Sequence, residues 1–403
     1  MSNTLKFGNG EWYGKKDTIL AYNDENSNFK PLPFSFDRAS SATVINKDGL
    51  IETVGSGEPR IDYKDDSKGA LLLEPSRTNI YSFSNQFDVF WSKFNLSAIP
   101  NSVTSLDGNL NGYLLQENTS NASHDIRQNA TVVSGQQYTY SVFVKKSDVG
   151  QDRNLSFYIG GTNGSISFNT TNGTFFSVGS VDSYSSEDYG NGWWRLQFTD
   201  TSVSTSFNVI AILNNGSTIY QGDGTSGLYI YGAQLEQGSY ATSYIPTQGG
   251  AVTRVADVCN NSANEQVIND SEGTMYVEFQ GLSSSVGNKV ISLNDGTNNN
   301  AFWLYIISSS DGIRIYDGTT IGTFFVINAF ENNKFALVYN ATNTRLFING
   351  SLAITIPFKS MNNLNKISFS DGNEGQKFEG NIKNLKYYNT ALSDAELSNL
   401  TTI

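Results

Sequence analysis

The chain has 403 residues, which is enough for two or three domains of ordinary size. Its 26 basic and 38 acidic side chains give a formal charge of −12, and the absence of a basic stripe argues against a nucleic-acid partner. Aromatic residues make up 13% and charged residues 16%, with 37 glycines and 7 prolines, a balance that predicts an all-β protein with many polar turns.

Single residues exclude several kinds of site. Cys259 is the only cysteine, which excludes an internal disulfide and a thiolate-rich zinc site. His124 is the only histidine, so a Ser-His-Asp triad could use only that residue, and a cluster of imidazole ligands is impossible. No apolar run reaches membrane-spanning length and the N-terminus lacks the pattern of a secretory signal, so we expect cytoplasmic synthesis and no membrane insertion.

Residues 1–35 carry six aromatic side chains without a strong period. We expect short strands and loops that pack on another part of the structure. Two interpretations remain open for this stretch: a plain β-extension of the first domain, or a docking segment.

Residues 36–79 contain the most distinctive motifs of the chain, namely FDRASSAT, DGLIETVGSGEPRIDY and GALLLEPSRTN. Arginines alternate here with carboxylates, and a guanidinium held between carboxylates fixes geometry in a way that a lysine does not. We therefore predict a structured joint held by ion pairs among Arg38, Arg60, Asp62, Glu74 and Arg77.

The three motifs, in this order and spacing, resemble a module of bacteriophage virion proteins: tail fibres, tail-tip proteins, and head-fibre or capsid appendages. The opening stretches LKFGNGEW and AYNDENSNFKPLPF resemble the start of such proteins in phages and prophages of Bacteroidota. This resemblance implies that residues 1–79 form an N-terminal attachment module that binds other virion proteins of the capsid or tail.

Residues 80–257 are predicted to form a β-sandwich, because short alternating segments follow one another at sandwich spacing. An Asn172-Gly173 pair marks a hairpin turn. The predicted strands lie at 138–146, 155–160, 165–176, 193–199, 207–213 and 227–238. Their order, and the closing GAQLEQGSYATSYIPT and AVTRVAD, resemble the jelly-roll carbohydrate-binding-like domain of phage tail proteins.

The GWWR element of this domain offers a candidate glycan site. Successive strand residues point to opposite faces, so Trp193 and Trp194 cannot both lie in the core. The exposed ring could stack on a sugar, with Tyr184 and Tyr189 lining the same area. The alternative is that a loop or a neighbouring subunit covers the outer ring.

Glycine-rich loops offer carboxylates that could serve as calcium ligands. Asp107 and Asp223 lie in such loops of the first sandwich, and Asp295 and Asp317 lie at strand ends of the second. Asp-Gly pairs more often simply make turns, and the region around Glu236 departs from the calcium-binding pattern of related jelly rolls. We therefore predict no cofactor and no metal site, with calcium as the alternative.

Residues 258–272 are rich in Asn and Ser and are predicted to be a linker, in which Cys259 is a small buried or half-buried residue. Residues 273–403 show a second series of strands that resembles a concanavalin-A-like or laminin-G-like sandwich. Trp303 and Tyr305 share one face by alternation and are assigned to the core. These strands are predicted at 273–281, 289–295, 301–308, 312–318, 334–340, 344–355, 366–371 and 380–389.

The end of the chain predicts one helix over LSDAELSNL. Ser393 is a good N-cap, Glu396 occupies the capping-box position, and Leu397 and Leu400 provide an apolar edge.

Taken with the resemblance, these features predict a non-enzymatic structural protein of a phage particle, a head or tail fibre or a surface decoration. It would stand on the virion surface as a homo-dimer or homo-trimer and touch host-surface glycans through its sandwiches. Two alternatives remain: a hydrolase that shortens glycans through paired carboxylates, and a purely mechanical spacer without a ligand.

Overall fold

Strands dominate the chain, as its composition predicts. The computed structural model describes residues 4–25, 28–160, 164–282, 289–307, 312–324, 328 and 331–403. The chain divides into two units. The first, here called the split unit, comprises Met1–Lys47, Thr53–Ser76 and Val255–Ile403; the second, called the inserted unit, comprises Asp48–Glu52 and Arg77–Arg254.

The N-terminal part contains short strands. They are β1 (Thr4–Gly8), β2 (Gly14–Lys15), β3 (Thr18–Ile19), β4 (Tyr22–Glu25), β5 (Asn28–Pro31), β6 (Phe34–Asp37), β7 (Ala42–Ile45), β8 (Ile51–Val54), β9 (Ile61–Asp62) and β10 (Ala70–Leu73).

The central part contains longer strands. They are β11 (Arg77–Asn79), β12 (Ser92–Phe94), β13 (Leu96–Thr104), β14 (Leu110–Glu117), β15 (Asn121–Ala122), β16 (Asp125–Thr131), β17 (Gln137–Lys146), β18 (Asn154–Gly160), β19 (Gly164–Asn169), β20 (Thr174–Val178), β21 (Ser183–Asp188), β22 (Trp193–Thr201), β23 (Ser206–Asn214), β24 (Tyr220–Gln221), β25 (Gly227–Gln237) and β26 (Val252–Arg254).

The C-terminal part ends in the one helix of the described residues. Its elements are β27 (Val258–Asn260), β28 (Gly273–Gly281), β29 (Lys289–Asn294), β30 (Ala301–Ile307), β31 (Gly312–Tyr316), β32 (Ile321–Phe324), β33 (Asn333–Tyr339), β34 (Asn343–Ile348), β35 (Ser351–Pro357), β36 (Lys366–Ser368), β37 (Gly380–Tyr388) and α1 (Asp394–Thr401). Residue 308, the last of the predicted strand 301–308, lies outside the described residues.

The split unit is a β-sandwich. Its larger sheet has the order β35-β34-β33-β28-β37-β1-β4-β5, with β9 and β10 joined to the side of β37, and its smaller sheet has the order β32-β31-β30-β29-β36. Alternate residues of both sheets form one buried core. Representative members are Val277, Leu337 and Leu385 from the larger sheet, and Leu293 and Leu304 from the smaller one.

The N-terminal residues are part of this sandwich, which corrects the predicted separate module at 1–79. β1 pairs with β37 over its whole length, and Phe7 lies opposite Leu385 in the same core. The predicted linker at 258–272 is also corrected, because β27 pairs with β6 and Val267 and Ile268 are buried in the core. The composition of both stretches suggested loops, but burial of their apolar side chains in the core stabilises them as ordered parts of the sandwich.

The inserted unit is a second sandwich, of two six-stranded sheets with the orders β12-β16-β23-β18-β19-β20 and β13-β14-β25-β17-β22-β21. Its core lies between them and includes Phe157 and Val209 from the first sheet and Val142, Leu196 and Ile230 from the second. The predicted fold class, all-β with two β-sandwiches, is therefore confirmed.

Local signals placed the turns and the helix correctly. β19 and β20 form the predicted hairpin, in which Gly173 has φ +73°, a left-handed conformation that glycine adopts without strain. Ser393 caps α1 and forms the predicted capping box with Glu396, while Leu397 is fully buried. No helix among the described residues is long and apolar enough to cross a membrane.

Candidate functional site

Four buried charged side chains of the split unit form one cluster, which we call the Arg–Asp cluster. Arg38 Nη1 donates to Asp257 Oδ1 at 3.0 Å, and Arg60 Nη2 donates to Asp257 Oδ2. Arg60 Nη1 also donates to Glu74 Oε2 at 2.6 Å. None of the four side chains exposes more than 4% of its surface, so the cluster is closed to ligands.

Charge balance and hydrogen bonding explain how this cluster tolerates burial. Two guanidinium groups face two carboxylates, and Asp257 Oδ2 additionally accepts from the backbone N–H of Glu74 at 2.9 Å. Burial opposes the charge of Arg60, but the nearby Asp257 and Glu74 outweigh it and raise the pKa of Arg60 above its ordinary value. The cluster is therefore a structural clamp.

The predicted ion pairs are partly corrected by this geometry. Arg38, Arg60 and Glu74 meet through Asp257, a residue that the sequence prediction did not include. Asp62 instead accepts from the backbone N–H of Lys64, and Arg77 belongs to the inserted unit, where its guanidinium lies over the ring of Tyr240. No sequence signal joins Asp257 to Glu74, because 183 residues separate them.

The adjacent tryptophans of the inserted unit point to opposite faces of β22, as alternation requires. Trp193 is only 2% exposed, and its Nε1 donates to the carbonyl of Thr104 at 3.3 Å. Trp194 is half-buried and packs on the core edge-to-face with Phe168. The ring on the outer face is thus the covered one, and Trp194 is the ring that reaches the surface.

Trp194 lies at an open cleft of about 490 Å³, here called the Trp194 cleft. The side chains around it are charged or polar and include Lys145, Lys146, Asp148, Asp188 and Asn191. Asp188 Oδ1 accepts from the backbone N–H of Gly190 at 2.7 Å, which orients its carboxylate. A volume of this size is typical of small-molecule sites.

The hairpin glycine holds the Trp194 ring in place. A Cβ built on Gly173 would lie 2.1 Å from the ring atom Cη2, so only glycine allows the backbone to approach this closely. The hairpin turn therefore fixes the orientation of the aromatic surface at the cleft.

The two predicted tyrosine partners do not line this cleft. Tyr184 is 47% exposed and contacts Phe175 edge-to-face, whereas Tyr189 is half-buried and contacts Phe143 in the same manner. Pairing aligns Tyr184 with Phe198, four residues along β22 from Trp194. Spacing in sequence could not reveal this, because a hairpin partner depends on register.

The loop carboxylates serve as turn-forming acceptors. Asp107 accepts from the backbone N–H of Asn109, and Asp223 accepts from the backbone N–H groups of Thr225 and Ser226. Burial raises the pKa of each carboxyl, but the hydrogen bonds to the charged form lower it by more, so both pKa values lie below the ordinary value. Within the described ranges, no group of three or more His, Cys, Asp or Glu residues is placed to hold a metal ion.

The aspartates of the C-terminal strands behave alike. Asp295 accepts from the backbone N–H of Thr297 at 2.9 Å, and Asp317 accepts from that of Thr319 at 3.0 Å, which confirms the turn interpretation. Tyr305 is buried as predicted, whereas Trp303 is half-buried beside it in a small cluster outside the main core.

A second buried ion pair in the inserted unit was missed by the sequence analysis. Arg153 donates from Nε and Nη2 to the two oxygens of Glu117, at 2.7 and 2.8 Å. Tyr220 Oη donates to Glu117 at 2.5 Å, and its pKa is raised above the ordinary value by burial and by Glu117. His124 is fully buried beside Tyr220, with its Nδ1 at 2.7 Å from the carbonyl of Asn95.

The single cysteine is buried, as predicted. Cys259 is 1% exposed within the core of the split unit. Burial, with a contribution from Asp257, raises the pKa of its thiol well above the ordinary value. A protonated, inaccessible thiol packs as a small apolar group.

Residues 260–398 match the family described as the concanavalin A-like lectin/glucanases superfamily. This match confirms the concanavalin-A-like prediction for the C-terminal part of the chain. No curated protein matches the chain.

Solved structures similar to this chain include the Ruminococcus gnavus IT-sialidase CBM40 bound to α2,3 sialyllactose, at 21% identity and a TM-score of 0.29, covering 36% of this chain and 94% of that one. Mouse laminin α1 chain domains LG4-5 match at 10% identity and a TM-score of 0.25, covering 79% and 93%. Trypanosoma rangeli sialidase matches at 9% identity and a TM-score of 0.28, covering 94% and 80%. Likeness at this distance carries no argument about function.

Proposed function

We propose that this protein is a non-enzymatic structural component of a phage particle whose β-sandwiches bind glycans on the host surface. The observation that carries glycan binding is the Trp194 cleft, where an aromatic ring fixed by the hairpin lies beside charged and polar side chains. The match of residues 260–398 to a superfamily that includes lectins supports the same class of ligand for the split unit.

The chemistry of the Trp194 cleft suits a sugar ring. A pyranose presents an apolar C–H face, which packs on an indole, and a rim of hydroxyl groups, which need donors and acceptors. Trp194 supplies the apolar surface, Lys145 a donor and Asp188 an acceptor. Single contacts of this kind are weak, and display of many copies on one particle would raise the overall avidity.

The assignment to a phage particle is supported by the motifs in residues 36–79, which resemble virion appendages. On this proposal the chain assembles as a homo-dimer or homo-trimer on the virion surface, because a thin appendage needs symmetry to bury enough area. Antibodies raised against the full chain should label purified phage particles in electron micrographs, and unlabelled particles would contradict this part of the proposal.

Glycan binding is tested on the full chain with a glycan array, followed by titration of the best-bound oligosaccharide. Lys145→Met and Asp188→Asn remove a donor and a charge from the cleft while keeping side-chain size, so each should weaken binding several-fold without unfolding the sandwich. Tyr184→Ala is the matched control, since Tyr184 is exposed but lies outside the cleft.

The same assay separates the alternatives. Loss of affinity in both cleft variants, with the control unchanged, supports the proposal. Absence of binding to every glycan favours the mechanical spacer, and shortened oligosaccharide products after incubation favour the hydrolase.

A further inference from the structure

Several turns of the chain contain an asparagine followed by a glycine, a pair in which the side chain can react with the backbone. The backbone nitrogen of the glycine can attack the side-chain carbonyl of the asparagine, because glycine has no Cβ to hinder the approach. The pairs with both members described are Asn9-Gly10, Asn111-Gly112, Asn172-Gly173, Asn191-Gly192, Asn215-Gly216 and Asn349-Gly350. Local structure decides which of them react.

Two conditions favour this reaction in a folded chain. The glycine N–H must lose its proton, which a hydrogen bond from that N–H to a carbonyl opposes. The asparagine amide must also turn toward the backbone, which hydrogen bonds to the amide oppose. The reactive pairs are therefore those at exposed turns in which neither group is bonded.

Hydrogen bonds hold most of these pairs. Gly173 donates its N–H to the carbonyl of Asn169 at 3.0 Å, and Asn172 Oδ1 accepts from Thr174 Oγ1 at 2.7 Å. The asparagine amide is also bonded in the pairs that begin at Asn9, Asn111 and Asn349. The fold therefore protects these pairs from the reaction.

The pair Asn191-Gly192 meets both conditions. Both residues are exposed and have left-handed backbone angles, φ +53° and +80°. The N–H of Trp193 donates to the carbonyl of Gly190 at 2.9 Å, so the pair forms the tip of the turn between β21 and β22. Among the residues that the structure describes, none accepts from the Gly192 N–H or bonds to the Asn191 side chain. The nitrogen and the carbonyl that it attacks are both free.

This pair also lies at the Trp194 cleft, where its chemistry affects the surface that a ligand meets. Two lysines and two aspartates line the cleft, so the charges of its side chains balance. A carboxylate in place of the Asn191 amide changes this balance to a net negative charge.

We propose that Asn191 is a site of spontaneous deamidation and that its product gives the Trp194 cleft a net negative charge. The Gly192 nitrogen loses its proton to hydroxide and forms a bond to Asn191 Cγ, and the side-chain nitrogen leaves as ammonia, which closes a succinimide ring. Water then opens the ring at either carbonyl and leaves aspartate or isoaspartate. Overall, one amide and one water become a carboxylate and an ammonium ion, without oxidation or reduction.

The products change the cleft in two ways. Aspartate lacks the amide donor of Asn191 and adds a charge to the cleft that already contains Asp188. Isoaspartate in addition inserts a methylene group into the backbone just before β22, the strand that carries Trp194. The modification itself does not depend on the proposed function, whereas its effect on affinity rests on the proposed glycan binding.

The full chain is incubated in mildly alkaline buffer, and peptide mass spectrometry follows the conversion of each asparagine with time. Asn191 should convert about tenfold faster than Asn172, because the hydrogen bonds that hold Asn172 and Gly173 must break before that pair reacts. Unfolding in urea removes this protection, so the two sites should then convert at similar rates. Equal rates in the folded chain, or a tenfold difference that persists in urea, overturn the inference.

Asn191→Asp fixes one product and tests its effect on the cleft. Aspartate tolerates the left-handed conformation, so this variant should fold. The oligosaccharide that the chain binds best before incubation should bind Asn191→Asp several-fold more weakly.

Asn215→Asp is the matched control. Asn215 and Gly216 are also exposed, and within the described ranges no group bonds to the Asn215 side chain or accepts from the Gly216 N–H. The pair does not line the Trp194 cleft, so this variant should bind the same oligosaccharide as tightly as the parent chain.

Equal affinities of Asn191→Asp and the parent chain overturn the effect on the cleft. Failure of the proposed function is a different result: no oligosaccharide binds the chain before incubation, while Asn191 still converts faster than Asn172. Fast conversion of Asn191, with weaker binding in Asn191→Asp but not in Asn215→Asp, supports the inference.

Discussion

Replacing Asp257 by asparagine tests whether the Arg–Asp cluster holds the split unit together. Asp257 accepts from Arg38 at 3.0 Å, from the backbone N–H of Glu74 at 2.9 Å, and from Arg60. Asparagine keeps the shape, but its amide nitrogen must face a guanidinium, and two buried cations are left with one carboxylate. Breaking a buried ion pair in this way costs about 3–5 kcal/mol, so Asp257→Asn should lower the free energy of unfolding by that amount.

The assay is native-state hydrogen exchange of peptides covering residues 70–76 and 255–262, because a chain of two units need not unfold in a single step. Asp65→Asn is the control. Asp65 is 60% exposed and lies 3.6 Å from Lys64, so its loss should change stability by about 0–1 kcal/mol. An effect of Asp257→Asn as small as that of Asp65→Asn would refute the clamp.

Three further predictions follow from local geometry. Burial raises the pKa of Asp62 from 3.8 to about 6, so the folded state holds the proton more tightly and loses stability as pH rises through 6. Asp62→Asn keeps the acceptor for the backbone N–H of Lys64 and should stabilise the chain by about 1–2 kcal/mol at pH 7 and by much less at pH 4, measured by urea unfolding. Gly173→Ala should lower the melting temperature and change the tryptophan fluorescence, because the new methyl group collides with Trp194 at a positive φ. Ser393→Ala should speed hydrogen exchange in α1 by weakening its cap by about 1 kcal/mol, and unchanged exchange would contradict the capping role.

The elements that sequence predicted well depend on local rules. Alternation placed the strands, since burial of one face repeats every second residue, and Gly173 marked the hairpin because its left-handed backbone conformation, φ +73°, favours glycine. The capping box is likewise a local signal, because Ser393 and Glu396 lie within four consecutive residues. In each case the signal that predicts the structure lies within a few residues of sequence.

The features that sequence did not predict depend on long-range pairing. Alternation places Trp193 and Trp194 on opposite faces, but it does not reveal that the outer ring, Trp193, is covered near Thr104, or that Trp194, which packs on the core, is the ring that reaches the surface. Another cleft of the inserted unit is lined by residues from 84 to 248, and nothing within any one segment indicates that they come together. The register of the strands and their order in the sheets determine these contacts, and neither can be recognised from a short stretch of sequence.

The Arg–Asp cluster lies close to the two chain positions where the inserted unit begins and ends. Glu74 and Asp257 each lie three residues outside the ends of the segment Arg77–Arg254. The backbone N–H of Asp257 donates to the carbonyl of Glu74, and the backbone N–H of Glu74 donates to the carboxylate of Asp257. Inside the inserted unit, β11 and β26 pair at the same two ends. An insertion of 178 residues, Arg77–Arg254, is tolerated only if its ends are brought together. The buried arginines fix that closure in the split unit, which explains why the charged motifs flank the insertion.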